Sequence, residues 1–360
     1  MTLTLNTDQM KAQMKAMMFH QPGVVHYESV PKPTPGPGEI IVKIGTALTC
    51  GTDLKCFKRG HPVLLKNFPS PFGHEFSGTV DATGEGVTQF QPGDRVVAAN
   101  SAPCFDCFYC QKAQFNLCEQ LDLLNGAYAD FMKVPAQIVA VNTHKIPESL
   151  PFELAAFTEP LAVSLRGIEH CKIKPGDQVA VMGLGPIGLL MVRLAVMQGA
   201  IVTAYARNPL KRSLAETFGG ANTVIDLSQY PNFFEDPTAC LPKTLENRGF
   251  DVVIEAIGLP ESWQAAVQLV RKGGLVNWFG GCPSGSQVQL DTRRIHYDEI
   301  TLISLFHHTP AHVKHAVDLL SSGELNPSPL ISERFAMPQL LEAFQLLEAG
   351  KAIKVALTPP

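Results

Sequence analysis

The stretch from Val179 to Leu305 constrains the fold most strongly, because short apolar runs alternate there with segments of helical pattern. Strands are predicted at residues 179–182, 201–205, 223–225, 252–256, 275–279 and 300–305, and helices begin near residues 187, 210 and 261. Alternating strands and helices, with glycines at the strand ends, are typical of parallel sheets. We therefore predict an α/β domain with a doubly wound parallel sheet.

A glycine-rich loop, residues 183–188 with the sequence GLGPIG, lies between the first of these strands and the helix that follows it. This is the context that a GxGxxG fingerprint requires. Gly183 permits a tight turn, Gly185 allows close approach of a pyrophosphate, and Gly188 lets the helix lie near the strand. The loop predicts dinucleotide binding; the alternative is an ordinary glycine-rich turn.

The end of the next strand decides between the two nicotinamide cofactors. An acid there would bind the adenosine ribose, but residues 205–208 read YARN. Arg207, with Lys211 and Arg212 one turn later, can meet a 2′-phosphate through charge-assisted contacts. This favours NADP(H) over NAD(H). The alternative is that these cations are solvated charges at the start of a surface helix.

Four of the nine cysteines fall within 15 residues, at Cys104, Cys107, Cys110 and Cys118. Four thiolates complete a tetrahedral shell with no open position, so we predict a structural zinc site. A redox cysteine pair is the alternative. The odd cysteine number favours a reducing compartment, and the remaining cysteines at positions 56, 171, 240 and 282 are interpreted as small buried residues.

A second group of metal-binding residue types lies in the segment from Cys50 to Glu75, which ends in Gly73-His74-Glu75. Taken singly, such residues are more often ordinary core or surface residues. Glu159, in an apolar neighbourhood directly before a proline, adds a further carboxylate. Thiolate, imidazole and carboxylate together suit a catalytic zinc ion, which Glu159 could reach directly or through water.

The remaining chain predicts a mostly β region over the first 150 residues, a helical pattern at 152–167, and two helices and a strand after residue 306. An apolar fraction of 45% and 17% charged residues suit large buried cores. The net charge of −4, with scattered Lys and Arg, gives no footprint for nucleic acid or a membrane surface. Residues 1–13 resemble neither a signal nor a transit peptide, so we expect a loose N-terminal tail and a cytoplasmic protein.

These motifs resemble those of the zinc-containing medium-chain dehydrogenase/reductases over nearly the whole chain. The run GHEFSG at 73–78 with Gly84 and Val87 fits that family's zinc signature, and the cysteine lobe and glycine loop follow in its order. Glu159-Pro160-Leu161 resembles the sorbitol (polyol) and threonine dehydrogenase branch. The resemblance implies a GroES-like catalytic domain over 1–162 with a zinc lobe at 100–120. It also implies a Rossmann domain over 163–305 and a segment, 306–360, that returns to the catalytic domain.

The resemblance also assigns roles to residues. Cys50, His74 and Glu159 would bind the catalytic zinc ion, Glu75 would lie behind them or exchange with them as a ligand, and Thr52 would pass the alcohol proton. The cofactor-binding set would be Gly183, Gly185, Pro186, Ile187, Gly188, Ala206, Arg207, Lys211, Arg212, Phe279, Gly280, Ser304 and Leu305. Two departures are Lys55, where many members carry a relay histidine, and the missing ribose-binding acid.

The implied function is zinc-dependent hydride transfer between a secondary alcohol, such as a polyol or sugar alcohol, and a nicotinamide cofactor, with two zinc ions per chain. A threonine or amino-alcohol dehydrogenase of the same branch is the nearest alternative. A zinc-free quinone or enoyl reductase and a non-catalytic NADPH-binding or structural protein are more distant ones. We expect a homodimer or homotetramer.

Overall fold

The computed structural model describes residues 12–62, 64–65, 67–121 and 123–360. Within them the chain forms two compact units. The first contains the described residues up to Glu159 together with Val313–Asn326 and Ile331–Pro360; the second contains Pro160–His312 and Pro327–Leu330. The expected N-terminal tail lies outside the described residues, apart from the two residues 12 and 13. No helix of the described part is both long and apolar enough to cross a membrane.

The first unit is mainly β. Its strands, numbered along the whole chain, are β1 Gln13–Gln21, β2 Val24–Pro31, β3 Ile40–Leu48, β4 Ser70–Pro71, β5 Glu75–Thr83, β6 Arg95–Ala98, β7 Phe131–Val134, β8 Thr143–Lys145, β15 Ile331–Ala336 and β16 Lys354–Thr358. They form a three-stranded sheet in the order β2-β1-β4 and a seven-stranded sheet in the order β15-β16-β3-β5-β6-β8, in which β7 also pairs with β3. The strand β16 therefore lies beside β3, where Ala356 pairs with Leu48.

The helices of the first unit are α1 Gly51–Arg59, α2 Phe108–Gln111, α3 Ala136–Asn142, α4 Phe152–Ala155 and α11 Leu340–Glu348. Two further helices, α5 Thr158–Glu169 and α10 Pro310–Ser322, cross the division between the units in sequence. The helical pattern predicted at 152–167 is divided in two. The break lies before Pro160 rather than at it, because proline has no N–H to lose in the first turn of a helix and fits there.

The core of the first unit joins the N-terminal strands to the last part of the chain. Phe72 and Phe344 are both nearly inaccessible, and their rings meet edge to face with centroids 6.1 Å apart. Val355 and Leu357 of β16 belong to the same apolar cluster. Burial of four large side chains contributes roughly 6–12 kcal/mol, so β16 is a structural member of this unit.

The second unit is an α/β sandwich. Its strands are β9 Gln178–Met182, β10 Ile201–Ala206, β11 Thr223–Asp226, β12 Phe250–Glu255, β13 Val270–Trp278 and β14 Thr301–Ser304, and its helices are α6 Pro186–Met197, α7 Pro209–Thr217, α8 Pro260–Leu269 and α9 Thr292–Tyr297. The six strands are parallel in the order β11-β10-β9-β12-β13-β14. The predicted doubly wound sheet is confirmed, with its topological switch between β9 and β12.

Residues 229–247 form short 3-10 turns between β11 and β12. Phe233 is buried there, and its ring centroid lies 5.6 Å from that of Tyr205 on β10. Tyr205 also contacts Phe250 of β12 edge to face, so Phe233 joins the excursion to an aromatic cluster on the sheet.

Candidate active site and metal centres

The N-terminus of α1 holds two residues of the predicted catalytic centre, Cys50 and Thr52. Cys50 is the N-cap of α1 in extended geometry, and its Sγ accepts a hydrogen bond of 3.4 Å from the N–H of Thr52. Asp53, in the first turn, is 1% exposed. A thiolate and a carboxylate are both favoured at a helix N-terminus, because the free N–H groups there carry partial positive charge.

His74 is fixed by that helix. Its Nδ1 lies 2.8 Å from Oδ1 of Asp53, and both side chains are buried. An ionised carboxylate can only accept, so Nδ1 carries the hydrogen of this bond, and Nε2 is the ring nitrogen left to face a metal ion. Burial by itself lowers the pKa of His74, but the charges of Asp53 and Cys50 outweigh it and hold this pKa well above its usual value. A metal-binding histidine is commonly oriented by such a carboxylate.

Tyr128 holds the other oxygen of that carboxylate. Its hydroxyl donates to Oδ2 of Asp53 over 2.6 Å and lies 3.2 Å from the carbonyl oxygen of Leu48. Burial, with the charge of Asp53 second, raises the pKa of Tyr128 well above its usual value, so the ring keeps its proton. Gly73 is required beside it, because its φ is +91° and an added Cβ would meet the tyrosine ring at 2.7 Å.

Glu75 and Lys354 form a buried ion pair at the start of β5. Each is 1% exposed, and Nζ of Lys354 contacts Oε2 of Glu75 and donates to the carbonyl of Thr49 over 2.9 Å. Burial raises the pKa of Glu75, and the opposing charge of Lys354 offsets only part of that effect. The second oxygen, Oε1, is buried with no hydrogen-bond partner. One oxygen of this carboxylate is therefore held and the other is available.

Glu159 lies in the first turn of α5 and is half-buried by accessible surface. Burial raises its pKa to about 7, with the charges of His74 and Glu75 as smaller influences of opposite sign. Its carboxylate is thus near enough to these two residues to interact electrostatically. It stands outside the tightest donor group of the centre, which consists of Cys50, His74 and Glu75.

The donor atoms of Cys50, His74 and Glu75 all lie within 4.8 Å of one another. Sulfur, imidazole nitrogen and carboxylate oxygen are ligands that zinc accepts together. The unpartnered Oε1 of Glu75 is an atom that such an ion would satisfy, and Nε2 of His74 is the ring nitrogen that Asp53 does not hold. These residues therefore fit a zinc ion, with an open position for a further ligand.

The four-cysteine lobe fits a zinc ion of the closed type. The sulfurs of Cys104 and Cys110 are 3.9 Å apart, and those of Cys107 and Cys118 are 4.0 Å apart. Zinc–sulfur bonds of about 2.3 Å in a tetrahedron place sulfurs about 3.8 Å apart. All four cysteines are free of disulfides. The spacing thus matches a metal shell and excludes a disulfide in this conformation.

Backbone N–H groups surround these sulfurs. The N–H of Glu119 donates to Sγ of Cys107, and this contact, followed by the backbone contact from Cys110, lowers the pKa of Cys107 to about 6. Burial raises the pKa of Cys110 to about 12. The lobe by itself thus favours one thiolate, and a cation is needed to stabilise four together.

In the second unit the loop 183–188 has the geometry that its glycines suggest. Gly183 has a φ of +91°, and a Cβ on Gly188 would lie 1.9 Å from the Gly183 carbonyl oxygen. A Cβ on Gly185 would meet nothing within 4 Å, so open space faces this residue at the start of α6. Pro186 begins that helix, and no side chain caps its free N–H groups. The loop can accept a phosphate.

The predicted 2′-phosphate site lies where β10 ends at Ala206. Arg212 forms an ion pair with Asp226, so its charge is already used. Arg207 lies over the ring of Phe234, with its guanidinium carbon 5.9 Å from the ring centroid. Burial lowers the pKa of Lys211. Two of the three predicted cations, Arg207 and Lys211, are therefore left for an anion.

The remaining predicted cofactor residues lie at the carboxyl ends of β13 and β14. Phe279 and Gly280 donate their N–H groups to the carbonyl of Glu255, over 2.9 and 2.8 Å. Ser304 donates its hydroxyl to the carbonyl of Trp278 over 3.2 Å, and Leu305 follows it. Ligands of doubly wound sheets bind at this edge, the same edge that carries the loop 183–188.

Sequence reasoning missed three residues that hold the centre together, namely Asp53, Tyr128 and Lys354. A weak signal existed for two of them. Asp53 follows Cys50 by one helical turn, and Lys354 interrupts the apolar strand that was predicted at 353–357. Among the cysteines interpreted as buried, Cys282 is in fact half-exposed.

Comparison with known proteins identifies the chain. A family model described as alcohol dehydrogenase GroES-like domain matches residues 36–148, and one described as zinc-binding dehydrogenase matches residues 186–322. Sorbitol dehydrogenase of Bacillus subtilis is 30% identical, over 96% of this chain and 97% of that protein. L-threonine 3-dehydrogenase of Pyrococcus horikoshii is 30% identical, over 96% of this chain and 99% of that protein.

A solved structure agrees. A protein of Sinorhizobium meliloti 1021, assigned as a zinc-binding dehydrogenase and bound to NADP, superposes with a TM-score of 0.87 and 31% identity. The match covers 97% of this chain and all of that one. The chain belongs to the zinc-containing medium-chain dehydrogenase/reductases, in the branch that resembles sorbitol and threonine dehydrogenases. It is an enzyme of the zinc-dependent alcohol and polyol dehydrogenase class, and it works with a nicotinamide cofactor.

Proposed function

We propose that the enzyme transfers hydride between a secondary alcohol of a polyol, sugar alcohol or related diol and NADP(H). The observation that carries this proposal is the convergence of Cys50, His74 and Glu75, with Glu159 nearby, in a centre rich in oxygen donors. A bound zinc ion would supply a Lewis acid that lowers the pKa of a substrate hydroxyl. Because oxygen ligands make such an ion a harder Lewis acid, it should favour further oxygen ligands, such as the two neighbouring hydroxyls of a diol.

The chain's own residues would orient the centre and move a proton. Asp53 holds Nδ1 of His74, and Tyr128 holds Asp53. Thr52, in the first turn of α1 beside Cys50, takes the proton of the substrate hydroxyl in this proposal. Lys55 is exposed one turn further along the same helix, so the far end of the proton path differs from a histidine relay.

The two carboxylates, Glu159 and Glu75, have different proposed roles at the zinc ion. Cys50, His74 and Glu159 are the proposed zinc ligands, and Glu75 is the one that exchanges or stays behind them. The contact of Lys354 with one oxygen of Glu75, and the unpartnered second oxygen, support an exchanging role. Zinc content distinguishes the two acids: Glu159→Gln should lose the catalytic zinc ion, whereas Glu75→Gln should retain it. The reverse pattern would make Glu75 the permanent ligand.

The substrate class is tested by rates. We expect kcat/KM for vicinal polyols to exceed that for simple primary alcohols by at least about tenfold, since a lost hydrogen bond to a buried polar group costs roughly 1–3 kcal/mol. A preference for primary alcohols would contradict the proposal. The same screen should include threonine and other amino alcohols, because the similarity to L-threonine 3-dehydrogenase favours them as the second candidate class.

The preference for NADP(H) rests on Arg207 and Lys211, together with the absence of an acid at residues 205–208. Arg207→Asp should lower the NADP-to-NAD ratio of kcat/KM by roughly 10- to 100-fold, the value of a charged hydrogen bond. Arg248→Asp is the matched control, because Arg248 is exposed and paired with Glu246. An unchanged ratio in the Arg207 variant would remove the assignment.

Assembly is proposed from the sheet edge. β14 is the last strand of the parallel sheet, and Thr301 and Ser304 on it are exposed. An unpaired strand edge is a template for pairing with a second copy. We therefore propose a homodimer or homotetramer. From the two centres around Cys50 and in the cysteine lobe, we also propose two zinc ions per chain. Light scattering and metal analysis test these numbers: a monomer, or a single zinc ion in the cysteine lobe, would contradict them.

A further inference from the structure

The hairpin β1–β2 gathers two histidines and a glutamate away from both zinc centres. His26 and Glu28 are two residues apart on β2 and so share one face of the strand. His20 lies on β1 at a register shift between Phe19 and Gln21. A β-bulge of this kind re-aims a side chain, and bulges are frequent at functional sites. The ligand atoms of His20, His26 and Glu28 all lie within 4.8 Å of one another.

The carboxylate of Glu28 contacts both histidines. Oε1 of Glu28 is 2.5 Å from Nε2 of His20 and 3.5 Å from Nδ1 of His26. Bonds of about 2.0–2.1 Å in a tetrahedron place neighbouring ligand atoms about 3.3 Å apart. The rings of His20 and His26 lie side by side, with centroids 4.9 Å apart. The contact between Glu28 and His26 is near this spacing, whereas the contact between Glu28 and His20 is a hydrogen bond about 0.8 Å shorter, which an ion would replace.

The geometry points to a third metal site: we propose that His20, His26 and Glu28 bind a divalent transition-metal ion such as Zn²⁺. Two imidazoles and one carboxylate favour zinc and its neighbours over Mg²⁺ or Ca²⁺, which prefer oxygen ligands alone. Three protein ligands leave a position for water. The side chains of His20 and Glu28 are half-buried and that of His26 is 61% exposed, so the ion exchanges with solvent.

An ion at this site would join the two strands of the hairpin. The turn between them is already attached to α1, since the N–H of Gly23 donates to the carbonyl of Phe57 over 2.7 Å. Because a ligand that binds only the folded state stabilises it, occupancy raises the melting temperature. This effect requires no change in the reaction at Cys50.

The experiment titrates Zn²⁺ into the zinc-replete enzyme, followed by calorimetry, so that only additional sites respond. The wild type should bind one more ion per chain at micromolar zinc. His26→Ala and Glu28→Gln should each weaken this binding at least tenfold, because even groups behind the ligands are worth roughly 10- to 100-fold. His315→Ala, at an exposed histidine on α10, should bind like the wild type.

A second readout separates a metal site from a hydrogen-bonded hairpin. Added Zn²⁺ should raise the melting temperature of the wild type and the His315 variant but not of His26→Ala or Glu28→Gln. Cu²⁺ bound in place of zinc should give an electron paramagnetic resonance spectrum with coupling to two imidazole nitrogens, and to one in the His26 variant. Equal zinc binding in all four proteins, or binding at millimolar zinc only, would overturn the proposal.

Discussion

The cysteine lobe and the Cys50 centre, both in the first unit, are built in opposite ways. The lobe takes four identical donors from 15 consecutive residues and surrounds them with backbone N–H groups. The Cys50 centre takes three different donors from separate elements, and each has its own side-chain or backbone partner. It also keeps an unpartnered oxygen on Glu75. A closed shell of like donors can only hold the chain together, whereas a mixed shell with an unfilled acceptor can take part in a reaction.

The variant Cys50→Ser tests this comparison with the largest expected effect. We expect kcat/KM to fall on the order of 10³-fold, since a metal ion contributes several kcal/mol and each 1.36 kcal/mol is tenfold in rate. Zinc content should fall by one ion per chain while the melting temperature stays within a few degrees. Cys282→Ser, at a half-exposed cysteine outside both centres, is the control. Retained activity would place the reaction elsewhere.

The buried pair tests the supports of the Cys50 centre. Lys354→Met should lower the free energy of unfolding by about 3–5 kcal/mol, because it leaves the Glu75 carboxylate buried without its partner. Adding Glu75→Gln should recover part of this loss. Denaturant unfolding of the single and double variants measures both effects.

Lys58→Met is the control for that pair. Lys58 contacts Glu348 in an exposed ion pair, so its loss should cost under about 1 kcal/mol. If Lys354→Met were as mild as Lys58→Met, the buried pair would not support the centre.

A variant of the cysteine lobe should lose thermal stability and keep its activity, which is the reverse of the result expected for Cys50→Ser. Cys107→Ser should remove one zinc ion and lower the melting temperature by about 5 °C, because binding free energy at a structural site is folding free energy. The folded fraction should keep its kcat/KM within about twofold. Thermal scans and rates per correctly folded chain test this, and a loss of kcat/KM without a change in melting temperature would contradict it.

The smallest expected effect is the pH dependence of cysteine alkylation in the zinc-free lobe. With zinc removed, Cys107 has a pKa lowered to about 6, first by the N–H of Glu119, so it is a thiolate above that pH. Alkylation at Cys107 should therefore reach half its maximal rate near pH 6, while Cys110, with a pKa of about 12, stays unreactive. Mass spectrometry of the labelled peptides reads this order. If the alkylation rate of all four cysteines had the same pH dependence as that of an ordinary thiol, the lobe would lose its conformation without metal.

Local patterns predicted the second unit well. The order of strands and helices from Val179, and the loop 183–188, depend on apolar runs and glycines that lie close together in sequence. The helix α1 was missed because it has only nine residues, so its apolar face of Leu54, Cys56 and Phe57 is too short to stand out as a helical pattern. Its start is instead set by Cys50 as N-cap.

The supports of the Cys50 centre were not predictable from local pattern. Asp53 and His74 are 21 residues apart, Asp53 and Tyr128 are 75 apart, and Glu75 and Lys354 are 279 apart. Contacts at such separations are decided by which strands pair, and the pairing of β16 with β3 cannot be read from either segment alone. The charge of Lys354 inside an apolar strand and the spacing of Asp53 from Cys50 were the two traces in the sequence.

That separation has a consequence for synthesis. A growing chain exposes Cys50, His74 and Glu75 long before Lys354 is translated, so the centre has its donors but lacks the cation that neutralises one of them. Until β16 pairs with β3, folding would bury a carboxylate without its counter-charge, which is unfavourable. The site should therefore form only after the final strand is in place, and a chain that ends before residue 354 should be destabilised around the buried Glu75.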